Sequence, residues 1–191
     1  MKSFNAARVF ASIVVSTISI LTGCSTPSLS PIADEATSVR DDALIGEWKS
    51  DEYWARITAP SDKPHYKVAI SALDDGEIKG SMNLEMRATQ IGDHRYIDLF
   101  MARSERRKLA EQYGGLAIPT HQIMRYTVDG DVLSLWLLPE GELPGTDGRT
   151  RITYDDNDSE VLTAETAALR TMIESAPADT FERAAELRRV R

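Results

Sequence analysis

The sequence predicts a mainly β fold: an antiparallel meander that closes, fully or in part, into a small barrel of seven or eight strands, with a C-terminal helix. Three observations carry this prediction. Apolar and polar residues alternate through much of residues 44–138, the two-residue period of a strand with one buried face. The dipeptides Asp75-Gly76 and Asp129-Gly130 interrupt the alternation, and such pairs suit tight hairpin turns. The remaining connections are short, so strands adjacent in sequence are expected to pair antiparallel.

The elements follow in order. Leu44, Gly46 and Trp48 share one face of the first strand, and Glu47, Lys49 and Asp51 the other. Tyr66, Val68 and Ile70 define the second. In the third, Ile78, Met82, Leu84 and Met86 oppose Lys79, Ser81, Asn83, Glu85 and Arg87. The fourth sets Ile97, Leu99 and Met101 against Tyr96, Asp98 and Phe100. The fifth and sixth flank Asp129-Gly130, and residues 149–156 supply a seventh. Ser104 is expected to cap a short helix running to Tyr113, stopped by Gly114-Gly115. Thr163 is expected to cap a second, with Ala168, Leu169, Met172 and Ile173 as its apolar stripe and Pro177 beyond its end. Residues 185–191 then form an edge or closing strand. Closure is favoured because it removes the free edges of the meander.

The chain before this region divides in two. Lys2 and Arg8 precede a run from Val9 to Gly23 that carries no charge. The run is shorter than the roughly 20 apolar residues that cross a bilayer, and it has the layout of a secretory signal over residues 1–23. Residues 24–43, rich in Pro, Ser and Thr without apolar periodicity, are expected to be a flexible tether spanning about 24 Å on average. Residues 44–191 make one β-rich domain.

Leu21-Thr22-Gly23-Cys24 resembles the lipobox of bacterial lipoproteins. The resemblance implies that Cys24 carries a diacylglycerol on its sulfur, that cleavage falls before it, and that the new amino group is acylated. Two or more chains make such an anchor stable, where one is marginal. It also implies the cell envelope as location, with the membrane as partner through the lipid. Ser25 in the following position implies the periplasmic face of the outer membrane in a Gram-negative cell. A second segment, residues 118–138, resembles one that recurs in uncharacterised bacterial envelope lipoproteins, which implies no activity.

The formal net charge is −8, and loss of Lys2 and Arg8 with the signal makes it more negative. Such a surface argues against nucleic acid as a general partner. Cys24 is the one cysteine. Once lipidated it leaves no thiol for a disulfide or a metal, whatever the redox compartment.

The common catalytic signatures are absent. There is no Gly-x-Ser-x-Gly, His-Glu-x-x-His, Walker loop, dinucleotide fingerprint or EF-hand. No cofactor is expected. His65, His94 and His121 sit at strand ends. They bind a metal only if the strands bring them together. Residues 155–158 cluster acids without the spacing of a calcium loop. Arg103 to Lys108 is a basic stretch, suited to a solvated face or to an anionic polymer. Asp98 is either an inward carboxylate in a pocket or the polar face of its strand.

Gly46-Glu47-Trp48 resembles the Gly-x-Trp of lipocalins, with Arg188 and Arg189 on the last strand. The resemblance implies that Trp48 lies at one end of a barrel and that one of these arginines crosses its indole face. Two function classes remain. One is a non-catalytic, lipid-anchored binding or structural domain that takes an apolar ligand or an envelope protein. The alternative is an envelope enzyme, a hydrolase or metal-dependent, using His121, Asp98 or the histidine set.

Overall fold

The computed structural model describes residues 25–60, 64–113, 119–141, 143, 151–153 and 160–191. Its strands are β1 (Ser38–Val39), β2 (Gly46–Lys49), β3 (Tyr53–Thr58), β4 (Tyr66–Asp74), β5 (Glu77–Ile91) and β6 (His94–Met101). They continue with β7 (His121–Asp129), β8 (Val132–Leu137), β9 (Arg151–Thr153), β10 (Glu160–Leu162) and β11 (Glu182–Arg189). Helix α1 (Arg103–Tyr113) follows β6, and α2 (Thr166–Ser175) precedes β11. None of the described helices is long and apolar enough to cross a membrane.

Eight of these strands form a closed antiparallel barrel. Each of β2 to β7 pairs with the next, and β11 pairs with both β8 and β2. The meander is therefore closed by the chain's last strand, as its alternating Leu187 and Arg189 allow. Two details differ from the sequence expectation. The first expected strand is two, β2 and β3, folded back through residues 50–52. Residues 151–153, in the expected seventh strand, leave the barrel and pair with β10 in a separate two-stranded sheet.

A bulge corrects one face assignment. Between Ala72 and Leu73 the partner on β5 jumps from Gly80 to Ile78, so Lys79 is an extra residue. One added residue reverses the side on which a side chain stands. Ile78, expected beside Met82 and Leu84, is instead 65 % exposed. The helices also differ slightly at their starts. The N-cap of α2 is Glu165, not Thr163, and it makes no side-chain capping bond. Leu169 and Ile173 of the expected stripe are buried.

Residues 25–43 are not a flexible tether. Ser25, Thr26, Ser28, Ile32 and Ala33 are buried. Thr26 donates its backbone N–H to Leu138 O (2.9 Å), and Ser28 and His121 exchange backbone bonds at 2.9 and 2.7 Å. Leu29 donates to Leu162 O and Leu162 to Pro27 O, each at 2.8 Å. These bonds bind the segment along the outer wall of the barrel as a strap. Its composition misled because short polar side chains can satisfy buried backbone as well as solvated backbone.

The packing has two parts. Inside the barrel, Trp48, Ile57, Tyr66, Met86, Tyr126 and Leu187 belong to one apolar cluster. Outside it, the strap residue Ile32 joins Tyr96, Ile123, Leu162, Leu169 and Phe181 in a second. The second cluster fills the space between the outer face of β6–β8, the strap and α2.

Candidate functional site

One end of the barrel is sealed. A short 3-10 turn, Asp42–Leu44, precedes β2, with Asp41 accepting the Ala43 N–H as its cap. Leu44 plugs the lumen and is fully buried, as is Trp48. The Trp48 indole N–H donates to Leu44 O at 2.9 Å. Arg189 lies across the indole, its Cζ 4.2 Å from the ring centroid. The same guanidinium donates to Ile45 O (2.7 Å) and Ala43 O (2.8 Å), so it ties the closing strand to the plug. Gly46 is the residue that permits this approach. Its φ is +144°, and a Cβ there would lie 2.5 Å from an Arg189 nitrogen. Arg188, on the other side of its strand, pairs with Glu186 at 3.4 Å in solvent.

Two inward tyrosines complete the seal. Tyr126 donates its hydroxyl to Asp41 Oδ2 (2.8 Å), and the Tyr66 hydroxyl accepts the Asp41 backbone N–H (2.6 Å). Burial, then the hydrogen bond to the Asp41 carboxylate, pushes the Tyr126 hydroxyl far above the ordinary range of tyrosine. Burial is also the main cause of the upward shift at Tyr66. Arg95 reaches Asp41 Oδ2 from outside at 2.9 Å.

The lumen above the seal is not filled. A cavity of about 180 Å³ runs between apolar side chains, among them Ala55, Ile57, Val68, Met86, Leu135 and Leu187. Its polar lining residues are Glu52 and Tyr53, at the β2–β3 turn and thus at the end opposite Leu44. Burial chiefly, and the Glu52 charge secondarily, raises the Tyr53 hydroxyl above its usual value. Both residues lie at the mouth of the cavity.

Asp98 and His121 meet, but outside the lumen. Ile97 and Leu99 point into the barrel, so the pleat turns Asp98 outward, where the strap covers it completely. His121 Nδ1 lies 2.6 Å from Asp98 Oδ1. Asp98 Oδ2 accepts the N–H groups of Ile32 (3.0 Å) and Ala33 (3.4 Å). The carboxylate is thus neither a pocket acid nor a solvated strand residue. It pins the strap to the wall. Arg170 of α2 adds a second fastening, donating to Ile32 O (2.7 Å), Thr89 Oγ1 (3.0 Å) and Gln90 O (3.0 Å).

The three histidines do not converge. His94 and His121 lie at opposite ends of the β6–β7 ladder, and His65 stands 3.4 Å from Glu85. Among the described residues no group of three or more His, Cys, Asp or Glu is placed to hold a metal ion. Cys24 and the acids at 155–158 lie outside the described residues. The basic stretch forms the first turns of α1, with Lys108 paired to Glu105 at 3.1 Å.

Sequence reasoning set one of Arg188 and Arg189 against Trp48, which the structure resolves as Arg189, and missed Glu52, Tyr53 and Asp41. Tyr53 was legible, since it shares the parity of Ala55 and Ile57. The role of Asp41 was not, because the tyrosines that seek it are separated from it by 25 and 85 residues. Comparison with protein-family models, with curated proteins and with solved structures finds no match to any of them.

Proposed function

We propose that this is a lipid-anchored envelope protein whose barrel binds a small apolar molecule. The observation that carries the binding reading is the lumen, apolar along its walls, sealed at Leu44 and polar only at its mouth. Ligand sites are typically apolar pockets with a few placed polar groups. An apolar cavity of about 150 Å³ is enough to hold one benzene molecule, so this one suits a single ring or a short chain. The likeness to lipocalins belongs to the same reading. It is supported by Gly46, Trp48 and Arg189 acting as one unit at the sealed end.

The anchor rests on the Leu-Thr-Gly-Cys order at residues 21–24. The strap bears on its consequence. Ser25 donates its hydroxyl to Gln122 (3.0 Å), and Gln122 pairs with Leu99, a mouth-side cavity residue. An acylated Cys24 therefore holds the mouth end, rather than the sealed end, close to the bilayer. Labelled fatty acid supplied to producing cells should enter the native chain and not Cys24→Ser; incorporation into both removes the anchor. Native mass spectrometry of the purified chain should show one 1-hexanol retained per barrel. Absence of any bound hexanol at millimolar concentration overturns the binding reading.

A further inference from the structure

The one charged residue that lines the cavity is acidic and stands at its mouth. This is Glu52, and Tyr53, the next residue in the chain, lines the cavity beside it. The Leu73 N–H donates to Glu52 O at 2.7 Å, which holds the β4–β5 hairpin against the same rim. That hairpin turns through Asp74, Asp75 and Glu77. Its one lysine, Lys79, is already engaged by Glu77 (3.1 Å) and Asp74 (3.9 Å). Arg103 lines a groove on the outer wall, beside Arg56 and Lys67, and Lys108 is paired with Glu105.

An amphiphile entering apolar end first leaves its head beside Glu52 and Tyr53. A carboxylate there meets a like charge, while an ammonium meets an opposite charge and a hydroxyl that accepts its N–H. We propose that the barrel selects small amphiphiles with a protonated amine head over those with a neutral or anionic head. This rests on the barrel-binding reading above and specifies the ligand class for that same cavity. The chain length follows from the cavity volume: a six-carbon chain is comparable in size to the ring that about 150 Å³ accommodates.

The test uses the full chain and three probes that differ only in the head: hexylamine, 1-hexanol and hexanoate at pH 7. Hexylamine should bind about tenfold more tightly than hexanoate, with hexanol between. That is the size expected for unit charges roughly 5 Å apart at a solvent-facing rim. In Glu52→Gln the hexylamine advantage should shrink to about twofold or less, while hexanol affinity stays the same. Glu52 is exposed at a turn, so this variant leaves the fold intact. Equal binding of all three probes, or hexanoate binding best, overturns the head selection and leaves the cavity reading standing. An unchanged preference in Glu52→Gln overturns the assignment to the mouth. If none of the three binds, the cavity reading fails and this inference fails with it.

Discussion

The barrel interior and the layer outside β6–β8 are both buried, yet they are built on different principles. The interior is lined by aliphatic and methionine side chains and retains about 180 Å³ of open volume. Its polar groups gather at the two ends, around Asp41 at the seal and Glu52 at the mouth. The outer layer places polar groups in the middle of its packing, where Asp98 and Arg170 bind the backbone of the strap. The reason lies in what each region must satisfy. Inside, the backbone is paired strand to strand along the barrel ladders, so side chains need only be apolar. Outside, the strap is largely not a ladder strand, and its buried N–H and C=O groups need partners from side chains. An apolar wall with empty space suits a replaceable occupant, whereas a layer fastened by specific hydrogen bonds suits a permanent one.

The largest expected effect breaks the interior. Removing residues 185–191 takes away five of the eight residues of β11, Arg189 among them, reopening the barrel between β8 and β2. Trp48→Ala alone should cost about 3–5 kcal/mol, the usual range for a buried Trp. Because Arg189 acts through the indole and the plug, the two changes should be strongly non-additive. Denaturant unfolding of the truncation, Trp48→Ala and their combination measures this. A truncated chain that unfolds at the same denaturant concentration as the parent would show that β11 does not close the barrel.

The next effect separates the outer layer from the barrel. Asp98→Ala leaves the Ile32 and Ala33 amides and the His121 ring without their shared acceptor. Leaving buried donors without an acceptor costs about 1–3 kcal/mol. The strap should loosen before the barrel opens, so amide exchange at Ile32 and Ala33 should speed up far more than at Val68 or Met86. Uniform acceleration across both sets would make the strap and barrel a single unit and erase the contrast drawn above.

This division explains which parts of the molecule were legible in the sequence. The period-two pattern of β4 and most of β5 has one polar and one apolar face, and it predicted strands correctly until the extra Lys79 reversed Ile78. In β6 and β8 the pattern is different: Tyr96 and Phe100 flank Asp98 on one face while Ile97 and Leu99 occupy the other, and Trp136 lies among leucines. Large residues on both faces signal that something covers the outside. That signal was present, but it does not name the cover. The strap, with its Pro, Ser and Thr, carries no periodicity because its contacts are made one backbone group at a time. Trp48 was set against Arg188 or Arg189 in advance through a resemblance, and the choice of Arg189 came from the structure. The Asp98–His121 contact depends on strand register and strap placement together, which neither local pattern encodes.

The smallest effect tests the contrast most finely, by adding volume to each region. Ala55 is nearly buried and borders the open lumen. In Ala55→Val the two added methyl groups have unoccupied space to enter, and each buried CH₂-sized group is worth about 0.8 kcal/mol. The β-branched side chain also suits a strand. The expected change in unfolding free energy is therefore between zero and about 1 kcal/mol of stabilisation. Ala33 is fully buried beneath the outer layer, with its N–H held by Asp98 and its carbonyl oxygen 3.4 Å from Arg87. Ala33→Val must displace these neighbours, and overpacking of this kind costs about 1–3 kcal/mol. The two variants should thus shift the denaturation midpoint in opposite directions. Ala55→Val should also weaken hexylamine binding several-fold, because the methyl groups and the probe compete for one volume, while Ala33→Val leaves it unchanged. If both variants destabilise equally and neither alters binding, the lumen is as tightly filled as the outer layer.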